Sequence, residues 1–165
     1  MHNLHIINYN DFSAEELCNY LEERHYTQVL ADLETTQNYI EFLVADSEEN
    51  SELTGLISTL FHKLREEVQQ LFVKDHILLY PHVKQHPGKY ISLAPINTIH
   101  QRIMSILQKL RGLMNNYVQQ PNWSNQFKIC CNELYAIEQN IQHILYIKEN
   151  FLWTKIKSDT TPAAE

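Results

Sequence analysis

Glycine is scarce in this chain, with 3 in 165 residues, and most of the 5 prolines fall at the ends of strongly periodic stretches. Hairpins and barrel corners need such residues at close intervals, so their scarcity argues against an all-β architecture and for long helices. Cysteine is scarce too. Cys18, Cys130 and Cys131 are odd in number and lack a CxxC spacing, so neither a disulfide framework nor a thiolate zinc site is suggested. The vicinal pair reads as helix packing. No run approaches the ~18 apolar residues of a membrane span. The opening MHNLHIINYNDFS has no basic flank leading into an apolar stretch, so no leader is expected. Positive charge is neither abundant nor clustered along the chain, whose formal net charge is −7. Nucleic acid and membrane are therefore not expected as partners, and the chain reads as cytoplasmic. Nucleophile motifs, phosphate loops and cysteine pairs are missing as well, which ranks an enzyme last among the functional readings.

What is present is helical periodicity. At this length one domain with a sizeable core is expected. Helix one should open at Ser13, where S-A-E-E supplies an N-cap serine with a glutamate three residues on, and run to about Leu43 or Val44. Its inward stripe is Leu17, Leu21, His25, Val29, Leu33, Ile40 and Leu43, and the acidic break ADSEENS ends it. Helix two begins near Ser51 and presents Leu64, Val68, Leu71, Asp75 and Leu78 at helical spacing until Pro81, which should end it. Helix three starts at Pro95 and carries Ile96, His100, Ile103, Leu107, Leu110 and Met114 on one face. Helix four begins near Ser124 and continues through Ile137, Ile141, Ile144, Ile147 and Phe151 to about Ile156. Loops of this length favour antiparallel neighbours, hence an all-α, up-down-up-down four-helix bundle over residues 13–156. Residues 1–12 read as an N-terminal extension and 157–165 as a disordered tail.

The segment FHKLREEVQQLFVKDHILLYPHV, from Phe61 to Val83, and three histidines on or beside inward stripes, His25, His100 and His143, carry the chemical signal. Imidazoles contributed one per helix to a bundle interior can bind iron or zinc, because packed helices hold them in place. A histidine with a carboxylate four residues away offers two donors to one interior point. Two candidate arms exist, Leu71 with Asp75 and His143 with Ile147, and each keeps one polar member. Glu149 cannot complete the second arm, since six residues carry it roughly 240° round the helix from His143. An inward histidine can equally donate to a backbone carbonyl, and an aspartate in an apolar stripe demands a partner. His62, His76, His82 and His86 lie on or beyond the outer face of helix two and read as solvated.

These residues resemble the hemerythrin-like (HHE cation-binding) family, and within it the di-iron proteins of iron-sulfur cluster repair. NYLEERHYTQ looks like the family's first histidine segment, VKDHILLYPHV its second arm, PINTIHQRIMSILQKLRGLMNNY its third helix and QHILYIKENFLW its closing arm. The resemblance implies that His25, His100 and His143 are iron ligands, with Asp75 where a bridging glutamate is expected. Leu71 then stands at a histidine position and Ile147 at a glutamate position. The histidine expected near the end of helix one is replaced in VADSEE, with Asp46 nearby. The implied function is non-heme iron binding at an incomplete site, with one metal or none in place of two. Its ligand would be a small diatomic molecule, in oxygen or nitric oxide stress or in cluster repair. The alternative is a metal-free degenerate bundle serving as a structural or partner-binding protein, alone or as a homo-oligomer. Apolar residues at ligand positions suit that alternative, since an apolar core is more stable than a half-satisfied polar site.

Overall fold

The computed structural model describes residues 6–49 and 51–159. Residues 1–5 of the expected extension and 160–165 of the expected tail lie outside the described residues. The fold is an all-helical bundle of four rods. The first runs through α1 (Ala14–Tyr20), a π-helical turn (Leu21–Tyr26) and α2 (Thr27–Ala45) without leaving helical backbone angles at the joints. The second is built the same way from α3 (Glu52–Lys74), a π-helical turn (Asp75–Leu79) and α4 (Tyr80–Gln85). The third is α5 (Ala94–Leu113). The fourth is α6 (Asn125–Ile147), followed by a π-helical turn (Lys148–Leu152) and a short 3-10 turn (Trp153–Lys155).

Local chemistry sets the starts. Ser13 Oγ accepts from Glu16 N–H and Ser124 Oγ from Phe127 N–H, each at 3.1 Å. Ser51 and Thr54 exchange bonds in a reciprocal capping box. Each cap satisfies a donor that the first helical turn leaves without a partner. The first rod packs on the second and fourth, and the second on the third. Their shared interior holds Leu17, Leu33, Ile57, Leu64, Ile103, Leu110, Leu134 and Ile141, all buried. A two-residue parallel pairing of β1 (Ile91–Ser92) with β2 (Ser158–Asp159) ties the chain after the fourth rod to the loop before the third. No helix among the described residues is long and apolar enough to cross a membrane.

Pro81 does not end the second helix, which continues to Gln85. The preceding turn supplies the reason. Tyr80 N–H already bonds five residues back to Asp75 O, so the ladder is shifted where the proline enters, and its missing donor and its ring meet no ordinary α-helical carbonyl. The inward stripes slip at the same points. Tyr26 is buried where His25 was expected, Leu79 and Tyr80 where Leu78 was, and Leu152 and Trp153 where Phe151 was. A π-turn spaces same-face residues by five instead of four, and beyond the first one the expected Val29, Leu33, Ile40 and Leu43 are buried as read.

Candidate functional site

Three rods bring together residues that stand at the ends of their π-turns. Tyr26 closes the first turn, Asp75 opens the second and Lys148 opens the third. At the centre the Lys148 ammonium donates to Asp75 Oδ2 at 2.6 Å, and both side chains are completely buried. Tyr26 OH donates to the same carboxylate oxygen at 2.5 Å and lies 2.5 Å from Tyr80 OH. Since the single Tyr26 proton is committed to the carboxylate, Tyr80 is the donor to Tyr26. Asp75 Oδ1 has no hydrogen-bond partner among the described residues.

The electrostatics follow from dryness. Burial pushes the Lys148 ammonium below its ordinary range, and the Asp75 charge opposes that shift. Burial, and then the Asp75 charge, raise both phenols well above theirs. Tyr26 and Tyr80 are therefore neutral donors, and the cluster amounts to one buried ion pair with two phenols attached. Lys148 Nζ also lies 5.5 Å from the Trp153 ring centre, within cation–π range.

The four residues singled out by sequence are not gathered at one point. His100 is buried and stacks on Trp153 with ring centres 5.9 Å apart. Its Nδ1 donates to the partly exposed Glu149 carboxylate at 3.0 Å, and its Nε2 is buried with no partner among the described residues. Burial, followed by the Lys148 charge, lowers the His100 pKa, while Glu149 raises it. Glu149 thus stands at a helix edge, as its angular position indicated, and is used there. His25 and His143 meet elsewhere, edge to face with centres 5.2 Å apart. His143 is an exposed residue bonded to Tyr9 OH at 3.0 Å, and His25 is half-buried, its Nε2 without a partner among the described residues. Burial and the neighbouring His143 lower the His25 pKa. The π-turn explains this displacement, since it gives the inward position to Tyr26.

Leu71 and Ile147 are buried and apolar, as their stripes required. A hemerythrin-type metal does not fit the arrangement. Among the described residues no three His, Cys, Asp or Glu side chains are placed to hold one ion, and the buried carboxylate is held by an ammonium. Sequence reasoning missed Lys148, Tyr26 and Tyr80. Lys148 follows Ile137, Ile141 and Ile144 at helical spacing and its backbone N–H bonds to Ile144 O, so the α-helical period itself carries it inside, and the signal was there to be read. A second buried carboxylate, Glu138, takes bonds from Arg111 and Gln142 on the opposite half of the bundle. The three cysteines are buried and unpaired, with burial raising the Cys18 and Cys130 thiols to about 12. No protein-family model matches the chain, and no characterised protein matches it in sequence.

Proposed function

We propose that this chain is a hemerythrin-like bundle of up-down-up-down topology that has exchanged its metal for an internal cation, and that it acts without iron as a structural or partner-binding protein in the cytoplasm. One observation carries the reading: the Lys148 ammonium, fully buried, sits 2.6 Å from the carboxylate of Asp75. A metal entering here would have to displace an ammonium with no route to water, or share a dry core with it. Either course costs several kcal/mol per ion. Topology is supported by cross-rod pairs that run in opposite numerical order. Tyr26 meets Asp75 while Gln37 meets His62, and His100 meets Glu149 while Arg111 meets Glu138. Family descent is supported by the four sequence segments quoted above. Three unpaired cysteines suit a reducing compartment.

The test is iron content. Protein purified anaerobically, offered Fe(II) and desalted should retain well below one iron per chain, and its thermal midpoint should not move with Fe(II). Retention of one iron or more per chain would overturn the reading. Descent has a separate test. In the variant Leu71→His/Ile147→Glu/Lys148→Met both arms are restored and the competing cation is removed, so Fe(II) should raise the midpoint. No rise would mean that these positions do not share a metal-binding ancestry.

A further inference from the structure

The fold gathers positive charge that the sequence scatters. Lys84 and Lys89 come from the end of the second rod and the turn after it, whereas Lys155 and Lys157 come from the end of the fourth rod and the segment beyond it. The β1–β2 pairing and a bond from Ile91 N–H to Lys157 O at 3.0 Å hold the two regions side by side. Between them is a recess of about 50 Å³ whose walls include His82, His86, Gly88, Lys89, Lys155 and Lys157. A water needs roughly 10–15 Å³ measured this way, so the space admits about four oxygen-sized groups. That is the complement of a tetrahedral oxyanion.

The wall is fixed in place. His82 Nε2 lies 3.0 Å from Lys89 O and must be the donor, since a carbonyl only accepts. Lys89 N–H returns to His86 O at 3.1 Å across Gly88, whose φ of +81° is the left-handed conformation that favours glycine. Lys155 Nζ is anchored on Asn10 O at 3.1 Å. Lys84, Lys89 and Lys157 form no ion pair among the described residues. A helix C-terminus accounts for part of the charge, because His82 and Lys84 lie in the last turn of α4, where the helix dipole favours cations. It does not account for Lys155 and Lys157, which another part of the chain supplies. In a protein of net charge −7, Lys89, Lys155 and Lys157 line one recess with no carboxylate partner among the described residues, a local excess of positive charge that an anion would neutralise.

We propose that this recess binds a phosphoryl dianion, as inorganic phosphate or as the terminal group of a phosphomonoester. The site stands apart from the buried ion pair and does not depend on the metal-free reading. Its test is a titration of the full chain, followed by calorimetry and by ³¹P line broadening, at constant ionic strength. The probes are inorganic phosphate and methyl phosphate. The proposal expects saturable binding with a Kd of about 1 mM or tighter, weakened at least about tenfold in Lys89→Gln/Lys157→Gln and unchanged in the remote pair Lys63→Gln/Lys109→Gln. Circular dichroism confirms that each variant is folded. Equal binding of both probes assigns the esterified group as a ligand, and binding of inorganic phosphate alone assigns the free ion. Absence of saturable binding by either probe, or equal weakening in both double variants, overturns the proposal.

Discussion

Lys148 and Asp75 each occupy a core position in which an unpaired charge costs several kcal/mol, so each is tolerated because the other is present. Lys148→Met should destabilise the fold by about 3–5 kcal/mol, as should Asp75→Leu, because each leaves an uncompensated charge. The double variant should lose much less than the sum of the two, and urea denaturation of the four proteins measures the coupling. Additive losses would show that the two side chains contribute separately. The histidines carry a second residue-level expectation. His25 and His100 are both held below the ordinary 6.5, by burial first and then by the charge of His143 and of Lys148 respectively. Between their folded values and 6.5 the unfolded chain binds more protons than the folded one, so their stabilising contribution is present above that pH and is lost as the pH falls through the folded values. The thermal midpoint should drop on acidification from about pH 7.5 to about pH 5.5, and the drop should be smaller in His25→Asn/His100→Asn. Equal drops would assign the acid sensitivity to other groups.

At the scale of the element, the π-turns separate what could be read in the sequence from what could not. The caps at Ser13, Ser51 and Ser124 are local hydrogen-bond patterns, legible because a serine and the donors two or three residues on suffice to make them. The stripes are legible outside the wide turns, and the expected Val29, Leu33, Ile40 and Leu43 are buried beyond the first; they slip by about one residue within a turn, where His25, Leu78 and Phe151 give way to their neighbours, since a period of 3.6 was carried through segments that do not keep it. Nothing local announces those turns. Tyr26, Asp75 and Lys148 stand at their ends and satisfy one another across three rods, and that pairing is tertiary. Pro81 tests the account. An interior proline in a regular α-helix costs about 3 kcal/mol, so Pro81→Ala would stabilise by that amount if the ring were strained here. With the turn absorbing it, chemical denaturation should show a change below about 1 kcal/mol. A gain near the full figure would mean that the wide turn does not relieve the proline.

At the scale of the molecule, the two tryptophans report on opposite ends of one core. Trp123 packs on Phe127 just before the fourth rod begins, and Trp153 follows the turn that ends it. If the rods share a single core, urea unfolding followed by fluorescence in Trp123→Phe and in Trp153→Phe should each coincide with the loss of helix seen by circular dichroism in the same variant. Separate midpoints would divide the bundle into independently melting halves. The lysine recess was illegible for a reason of the same scale, since it depends on residues distant in sequence meeting through a two-residue pairing.

Length is where the three wide turns leave their mark. Deleting one residue from 21–26, 75–79 or 148–152 would bring same-face residues from five apart to four, an ordinary α-helical step that keeps Tyr26, Tyr80 or Trp153 on the core side, whereas inserting one would rotate everything beyond it by roughly 100°. A relative one residue shorter in any of these segments is expected to run as plain α-helix there with its core face unchanged.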